Sequence, residues 1–220
     1  MGYYPIFLDL QGKRCVVVGG GEVATRKVQG LLDAGAEVSV VSPTLTETLS
    51  MLAEWGIIQH TARAFQASDV DGCALVIGAT DHLAVNTAVC EAARRQGIWV
   101  NIVDTPDACD FIAPAVVRRG ALQIAISTGG KSPTLAKQIR IQLEQLYGQE
   151  YAELLTWLGE QRERIRRLAV DAATRKAFHE QLVDIALQRL ALLPRERSPL
   201  SHTTREPACT IPREPATIGV

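Results

Sequence analysis

The 220-residue sequence predicts an α/β fold in which a helix-covered parallel sheet is followed by a hairpin and further helices. Short β-branched runs alternate with helical stretches as far as residue 103, which is typical of β-α-β units. Two runs, CALVIGA and IWVNIV, are continuously apolar, as expected for strands buried on both faces of a sheet. After residue 104 this alternation stops. A chain of this length buries a core without disulfides or metal.

The first half of the chain supplies the predicted parallel sheet. Its first strand, 14–18 (RCVVV), ends in glycines. The helix that follows, 22–34, ends before Gly35, a residue type that favours the left-handed position after a helix. The other predicted strands of this half span 37–41, 57–61, 73–79 and 98–103. Its other predicted helices span 45–55 and 82–96.

The second half predicts a hairpin and then helices. Gly120 lies in the turn of the hairpin, and Ser132 and Pro133 are typical of the N-cap and the first helical position. The predicted elements are strands 115–118 and 122–127 and helices 132–148, 151–169 and 171–192. The segment 194–220 is rich in Pro, Ser and Thr and lacks apolar periodicity, so we expect a disordered tail.

The composition excludes several classes of protein. A net charge of -1 argues against a nucleic-acid binder, which is usually strongly basic. No apolar stretch reaches about 18 residues, so we expect no membrane span, and we expect no signal peptide at the N-terminus. The 5 cysteines form no C-x-x-C pair, which argues against a disulfide framework or a zinc site and favours a reducing cytoplasm.

Charge is distributed unevenly along the chain. Residues 1–112 contain 7 basic and 13 acidic residues, whereas residues 113–193 contain 12 basic and 8 acidic ones. The asymmetry indicates two regions with different roles, and an excess of solvated charge is the alternative.

The segment VVVGGGEVA carries the pattern G-x-G-x-x-A, with Gly19, Gly21 and Ala24 at its fixed positions. A strand precedes the pattern and a helix follows it, which is the context of a Rossmann-type dinucleotide site. Gly19 permits the tight turn, and Gly21 lets the backbone approach a pyrophosphate. Amide groups at the start of the helix then face a phosphate. A purely structural glycine turn is the alternative.

The end of the second strand indicates the type of dinucleotide. Ser42-Pro43-Thr44 contains neither the acidic residue that binds a ribose hydroxyl nor an arginine for a 2′-phosphate. The hydroxyl groups of Ser42 and Thr44 are the available ribose partners, which favours NAD over NADP. The alternative is that this segment only caps the next helix.

Acidic residues follow the fourth and fifth strands. Thr80-Asp81 comes after the fourth strand, and Asp104 closes the fifth. Ligands of open parallel sheets bind beyond the carboxyl ends of the strands, which makes Asp104 a candidate acid or base facing the cofactor. A loop cap is the alternative, and Asp107 and Asp110 compete for any catalytic role.

The sequence resembles the precorrin-2 dehydrogenase / sirohydrochlorin ferrochelatase family, the first module of sirohaem synthases, over about residues 1–190. The resemblance rests on YPIFLDLQGKRCVVVGGGEVATRK, on ATD at 79–81, on NIVDTPDACDFIAPA at 101–115 and on ISTGGKSPTLAKQIR at 126–140. It implies NAD-dependent oxidation of precorrin-2 to sirohydrochlorin. Many members then insert Fe²⁺ to make sirohaem, and some insert cobalt on routes to cobalamin.

The resemblance also implies an intertwined homodimer whose active sites lie between domains. Its α/β fold consists of a Rossmann-type parallel sheet domain, a small strand-containing dimerisation region and a C-terminal helical region. The corresponding division of this chain is an NAD-binding domain at 1–113, a hairpin-plus-helix dimerisation region at 114–147, a helical domain at 148–193 and a tail at 194–220.

Site residues follow from the resemblance position by position. Asp104, in N-x-V-D-x-P, matches the aspartate implicated in dehydrogenation and chelation. Thr128 stands where some relatives have serine, so a hydroxyl remains but a primary alcohol does not. The expected cofactor-binding residues are Gly19, Gly20, Gly21, Glu22, Val23, Ser42, Pro43, Thr44, Thr80 and Asp81. The expected substrate-binding residues are Asn101, Ser127, Thr128, Gly129 and Lys131. We expect no resident metal, and Fe²⁺ or Co²⁺ would be a transient substrate near Asp104.

Oxidation of precorrin-2 removes a hydride and a proton from the macrocycle. The nicotinamide accepts the hydride, and Asp104 is the hypothesised general base. The polycarboxylate substrate requires cations. The candidates are Arg118, Arg119, Lys131, Lys137 and Arg140, or the run Arg162, Arg164, Arg166 and Arg167. The alternative for that run is an exposed helix face paired with Glu160 and Glu163.

Two other functions compete with this prediction. A non-catalytic NAD-sensing regulatory domain would use the same glycine pattern without turnover. A short-chain dehydrogenase is excluded, because no tyrosine has a lysine four residues further on. Cys109 is either a redox or metal-handling thiol or a small apolar filler.

Overall fold

The structure is a computed structural model that describes residues 2–168 and 170–192. Its strands are β1 (Arg14–Val18), β2 (Glu37–Val41), β3 (Gln59–Thr61), β4 (Leu75–Gly78), β5 (Trp99–Ile102), β6 (Ala115–Arg119) and β7 (Leu122–Ile126). Its α-helices are α1 (Glu22–Leu32), α2 (Glu47–Glu54), α3 (Leu83–Arg95), α4 (Pro133–Leu146), α5 (Glu150–Arg166) and α6 (Ala172–Leu192). Short 3₁₀ turns span Ala67–Val70 and Pro106–Ala108.

The five strands of the main sheet are parallel and follow the order β3-β2-β1-β4-β5. The predicted α/β fold is therefore confirmed. The strand order reverses direction at β1, whose two neighbours are β2 and β4. The loops after β1 and β4 consequently diverge to opposite faces of the sheet and leave a crevice between them, which is where open α/β sheets bind ligands.

Alternate residues of the strands belong to two separate hydrophobic clusters, because successive side chains of a strand point to opposite faces of the sheet. On one face, Val16 and Val76 are fully buried with Val89 of α3. On the other face, Val17 is fully buried with Val28 of α1, and Leu49 of α2 joins the same cluster. Burial on both faces explains why the central strands are apolar throughout.

Several elements are shorter than the sequence predicts. The helix predicted at 45–55 begins only at Glu47, because the Thr46 side chain is its N-cap and accepts a hydrogen bond from Leu49 N at 3.3 Å. The strand predicted at 57–61 is limited to Gln59–Thr61, since residues 57 and 58 continue the turn that ends α2. The 3₁₀ turns have no apolar periodicity, and the sequence did not predict them.

Arg119 of the β6–β7 hairpin forms hydrogen bonds with the end of α4. Arg119 Nε donates to Tyr147 O at 2.7 Å, and Arg119 Nη2 donates to Glu144 O at 3.0 Å. The guanidinium therefore caps the C-terminal end of α4, where the helix dipole favours a cation. At the other end, Ser132 Oγ accepts from Leu135 N at 3.2 Å, so the predicted N-cap is present.

The chain divides into two compact units between Ala152 and Glu153. In the second unit, Asp171 precedes α6 and accepts hydrogen bonds from Thr174 N at 2.9 Å and Thr174 Oγ1 at 2.7 Å. Among the described residues, no helix has the length and hydropathy needed to cross a membrane. The finer boundaries at 113, 147 and 193 stay a prediction, and the tail at 194–220 lies outside the described residues.

Asp69 offers a test of the packing between β3 and β4. Its side chain is 9% exposed and receives Arg63 Nη2 at 2.6 Å, Arg63 Nη1 at 2.9 Å and Gln66 N at 2.8 Å. The Arg63 guanidinium lowers the pKa of this carboxyl. The ion pair thus stabilises the fold above the unfolded-state pKa of about 3.9 and loses its effect as the pH falls through the folded-state pKa.

We expect Asp69→Asn to lower the free energy of unfolding by about 1–2 kcal/mol at pH near 7, since Arg63 is partly solvent-screened. The difference from the unmodified protein should shrink at pH near 3. Urea denaturation at both pH values measures it, and an equal difference at the two pH values would contradict the assignment.

Candidate active site

The carboxyl ends of four neighbouring strands lie at one edge of the sheet. Val18 of β1 is opposite both Val41 of β2 and Gly78 of β4, and Gly78 is opposite Ile102 of β5. Because the ends of these strands are level, the loops that carry the predicted cofactor-binding residues and Asp104 all start at this edge. The residues that directly follow the strands are Gly19, Ser42, Ala79 and Val103.

The glycine loop after β1 is packed tightly on one side and open on the other. A Cβ added to Gly19, whose φ is +119°, would lie 2.2 Å from Ala79 O, and one added to Gly20 would lie 1.9 Å from Thr44 O. A Cβ added to Gly21 would meet no atom within 4 Å. Gly19 and Gly20 are therefore required by the fold, whereas Gly21 borders free space.

Gly21 is also the N-cap of α1, and no side chain caps the helix there. The amide groups of the first turn are consequently available to an external acceptor, and the helix dipole favours an anion. This combination of free space and uncapped amides fits the pyrophosphate of a dinucleotide. Glu22 and Val23 follow in the same turn, with Glu22 exposed and Val23 half-buried.

The segment after β2 borders the glycine loop. Ser42 is 7% exposed, and its carbonyl oxygen lies 2.9 Å from His60 Nε2. Pro43 and Thr44 are exposed at the edge of the sheet. The alternative that this segment only caps the next helix is wrong, because Thr46 is the N-cap of α2.

Thr80 and Asn86 form a closed pair at the start of α3. Thr80 Oγ1 donates to Asn86 Oδ1 at 2.8 Å, and Asn86 Nδ2 donates to Thr80 O at 2.9 Å. The Thr80 hydroxyl is thus engaged in shaping the turn, while Asp81 beside it is exposed. Asn86 is buried, and its role was not visible in the sequence because a polar residue within a helix carries no local signal.

Asp104 has an unusual backbone. With φ of +59° it is the one described residue other than glycine with a positive φ. Aspartate tolerates the left-handed region better than most residues, but the conformation still carries strain, which persists where the surroundings determine it. The carboxylate of Asp104 is exposed beyond the end of β5. A strained acidic residue at the ligand-binding edge supports its prediction as a functional group.

The thiol of Cys109 holds the Asp104 loop from within. Cys109 Sγ lies 3.1 Å from Ile102 O and 3.3 Å from Thr105 O, and it accepts from Ile102 N at 3.2 Å. Burial raises the pKa of this thiol, so it remains a protonated donor near neutral pH. Asn101 Nδ2 lies 3.4 Å from the same sulfur. Cys109 is therefore a hydrogen-bonded anchor of the loop, and it also packs against the hydrophobic core as the apolar-filler alternative expects.

The remaining polar residues of this loop have structural partners. Asp110 Oδ2 accepts from Val100 N at 3.0 Å, which ties the end of the loop back to β5. Asn101 is 7% exposed and donates to Phe111 O at 2.9 Å. Asp107 is exposed, and only its carbonyl oxygen receives a contact, from Arg94 Nη2 at 3.5 Å.

A groove of about 1450 Å³ runs along α1 over the β4–β5 side of the sheet. Its floor is apolar and includes Leu75 and Ile77 of β4 and Val103 after β5. Pockets for small molecules usually measure about 300–1,000 Å³, so this groove admits a larger ligand. Five of the predicted residues line it, namely Val23, Ser127, Thr128, Gly129 and Lys131.

Ser127-Thr128-Gly129-Gly130, the S-T-G-G turn, forms part of the groove wall, and its two hydroxyl groups accept main-chain hydrogen bonds. Ser127 Oγ accepts from Gly129 N at 3.0 Å, and Thr128 Oγ1 accepts from Ser132 N at 3.1 Å. The predicted residues therefore form two groups, one around the glycine loop and one along the groove, and Val23 lies in both. No group of three or more His, Cys, Asp or Glu side chains within 2–168 and 170–192 is arranged to hold a metal ion.

An uncapped helix start at the switch point of a parallel sheet defines a Rossmann-type dinucleotide-binding protein. A family model described as putative NAD(P)-binding matches residues 6–115, and the chain belongs to this family. A second model, described as sirohaem biosynthesis protein central, matches residues 119–146. The prediction of a dinucleotide site is thereby confirmed.

Curated relatives confirm the resemblance found in the sequence. The chain is 44% identical over 192 residues to a siroheme synthase of Methylococcus capsulatus, which covers 87% of this chain and 40% of the relative. It is 39% identical over 199 residues to a siroheme synthase of Nitrosomonas europaea, covering 90% of this chain and 42% of the relative. The chain thus spans about two fifths of the length of these relatives.

A solved structure extends the similarity to the fold of most of the chain. The structure of SirC, precorrin-2 dehydrogenase, matches with a TM-score of 0.72 at 28% identity, covering 86% of this chain and 99% of that chain. The predicted order of parallel sheet, hairpin and C-terminal helices is confirmed by this match.

Gly21→Ala tests the phosphate site. Because the added methyl group meets no protein atom, the free energy of unfolding should change by less than about 1 kcal/mol. Because the methyl group fills the space above the uncapped amides, NAD affinity should fall by about tenfold or more. Isothermal titration with NAD and thermal unfolding measure the two effects. Gly20→Ala is the matched control and should destabilise the fold, and unchanged NAD affinity in Gly21→Ala would contradict the assignment.

Cys109→Ala tests the anchoring of the Asp104 loop. We expect the free energy of unfolding to fall by about 1–2 kcal/mol, since backbone groups lose their sulfur partner. Cys109→Ser keeps a hydrogen-bond donor and acceptor, so its free energy of unfolding should fall by less. Chemical denaturation of both variants measures the difference, and equal losses would show that the thiol acts only by filling space.

Proposed function

We propose that this chain oxidises precorrin-2 to sirohydrochlorin with NAD as the hydride acceptor, in the synthesis of sirohaem or cobalamin. One observation carries the proposal: the match to SirC, precorrin-2 dehydrogenase, extends over 99% of that chain. The names of the curated relatives, siroheme synthases, agree with it. The glycine loop, Asp104 and the groove supply a cofactor site, a carboxylate and room for a tetrapyrrole in one region of the first unit.

The residues at the edge of the sheet fit a dinucleotide. The α1 amides beside Gly21 would hold the pyrophosphate, and Thr44 after β2 would bind the adenosine ribose. No cation follows β2 directly, and Arg63 beyond β3 is engaged by Asp69, which favours NAD over NADP. When bound, the nicotinamide supplies a hydride acceptor.

Asp104 would accept the proton that leaves the macrocycle. The left-handed backbone of Asp104 and the hydrogen bonds of the Cys109 thiol hold the loop from which the Asp104 side chain extends. This side chain is exposed to an incoming ligand. A general base of this kind contributes about 10²–10⁴-fold to the rate. The same carboxylate would accept pyrrole protons during insertion of Fe²⁺ or Co²⁺ into sirohydrochlorin, which we propose as a second activity of this site.

We propose a cytoplasmic homodimer as the working form. The two-stranded sheet leaves the outer edges of β6 and β7 without a partner strand in the described chain, and exposed edges favour pairing with another chain. The cysteines of the described residues are free thiols, in keeping with a reducing compartment.

Asp104→Asn tests the catalytic assignment. Asparagine keeps the left-handed backbone and the side-chain shape but removes the charge, so turnover should fall by about 10²–10⁴-fold while NAD affinity is retained. NADH formation from precorrin-2 under anaerobic conditions measures the dehydrogenase activity. A second assay measures metal insertion through the absorbance of sirohydrochlorin after Fe²⁺ or Co²⁺ is added.

Asp107→Asn is the matched control, because it removes an exposed carboxylate from the same loop. Its turnover should equal that of the unmodified protein. Normal turnover in Asp104→Asn would refute the role of Asp104. Binding of NAD without any NADH formation in the unmodified protein would indicate the NAD-sensing alternative.

A further inference from the structure

The groove is lined by basic side chains from both the acidic first part and the basic second part of the chain. Arg26 and Lys27 of α1 and Lys131 after the S-T-G-G turn line it, and Asp110 is the one acidic residue among the groove residues of the described structure. Asp110 is occupied with the main chain of β5. A cationic groove is unexpected here, because residues 1–112 carry nearly twice as many acidic as basic residues.

Lys27 lies deepest of the three cations. It is half-buried, whereas Arg26 and Lys131 are exposed. It shares one face of α1 with Val23 and Leu31, at the spacing that places side chains above one another, and all three line the groove. Lys27 is a half-buried residue that lines the groove, and within the described residues its side chain has no hydrogen bond or ion pair to serve as a counter-charge.

Lys27 lines the same groove as Val103, the residue that directly precedes Asp104. Burial and the neighbouring Arg26 charge lower the pKa of the Lys27 ammonium, and Cys109 and Asp104 are close enough to act on it electrostatically in the opposite direction. An anion in the groove would supply the counter-charge that Lys27 lacks. A ligand held in this way would lie beside the Asp104 loop.

Most of the basic residues expected to bind substrate have other partners. Arg118 pairs with Asp33 at 3.4 Å, and Arg119 caps α4. Arg140 pairs with Glu144 one turn along α4. In the second unit, Arg166 and Arg167 both pair with Glu163, at 3.4 and 3.5 Å. Of the residues predicted from the hairpin and α4, Lys131 and Lys137 have no ion pair within the described part of the chain, and only Lys131 lines the groove.

We infer that Arg26, Lys27 and Lys131 bind carboxylate side chains of the tetrapyrrole, and that its apolar ring lies on the groove floor formed by Leu75, Ile77 and Val103. This inference rests on the proposed function and assigns its substrate-recognition residues. Lys27 holds the carboxylate nearest Asp104 and so orients the ring edge that loses the proton. Arg26 and Lys131 bind further carboxylates at the open side of the groove.

Lys27→Met tests this assignment by keeping the apolar stem and removing the charge. We expect KM for precorrin-2 to rise about 10- to 100-fold, because a charged hydrogen bond is lost, while KM for NAD is unchanged. Arg26→Met and Lys131→Met, which alter exposed residues, should each raise KM for precorrin-2 by a smaller factor. Lys27→Arg should recover most of the affinity.

Lys13→Met is the matched control, since it removes an exposed cation of the first unit that does not line the groove. Its KM values should equal those of the unmodified protein. Sirohydrochlorin binding, followed by its absorbance, provides a readout that does not require turnover. Thermal unfolding checks that each variant is folded, and the two exposed variants keep the test valid if Lys27→Met does not fold.

The outcomes separate this inference from the proposed function. If the unmodified protein forms NADH from precorrin-2 and the three methionine variants keep its KM for precorrin-2, the inference is overturned and the function stands. A rise confined to KM for NAD would assign these cations to the cofactor and would also overturn it. If the unmodified protein neither binds sirohydrochlorin nor oxidises precorrin-2, the proposed function is refuted, and the inference that rests on it is refuted with it.

Discussion

Main-chain packing at the end of β1 is the constraint on which the rest of the site depends. Gly19 approaches the carbonyl of Ala79, and Gly20 approaches the carbonyl of Thr44, so closely that neither position admits a Cβ. These contacts join the ends of β1, β2 and β4 at the point where the strand order reverses. The start of α1, the Ser42–Thr44 segment and the Thr80 turn are thereby held around one space.

The sequence predicted the features that depend on local or periodic signals. The parallel strands follow from apolar runs, and the glycine turn and the Ser132 cap follow from residue types with special backbone roles. It did not predict the sulfur-centred Asp104 loop or the Thr80–Asn86 pair, because each joins a residue of a loop to a residue of a neighbouring strand or helix and has no periodic signal. Lys27 was missed although its spacing from Val23 and Leu31 could have placed it on the groove face of α1.

The charge asymmetry of the chain has a different meaning in three dimensions. From the sequence, the basic second part was the obvious partner for a polycarboxylate. In the structure, Arg118, Arg119 and Arg140 hold the hairpin and α4 in place. The basic groups left available in the first unit include two from the acidic half, Arg26 and Lys27. The net charge of a segment therefore does not show which cations can bind a ligand. That depends on which basic side chains already have ion pairs or hydrogen bonds within the protein.

The backbone of Asp104 restricts what mutation can do at this position. Side chains other than Asn, Asp and His are strongly disfavoured in the left-handed region, and glycine would bring no functional group. Of the residue types that fit this backbone comfortably, aspartate alone carries a negative charge. The loop conformation and the proposed role of Asp104 as a base together leave one acceptable amino acid. A single-nucleotide change to the codons for Asn, Gly or His would keep the loop conformation and remove the carboxylate.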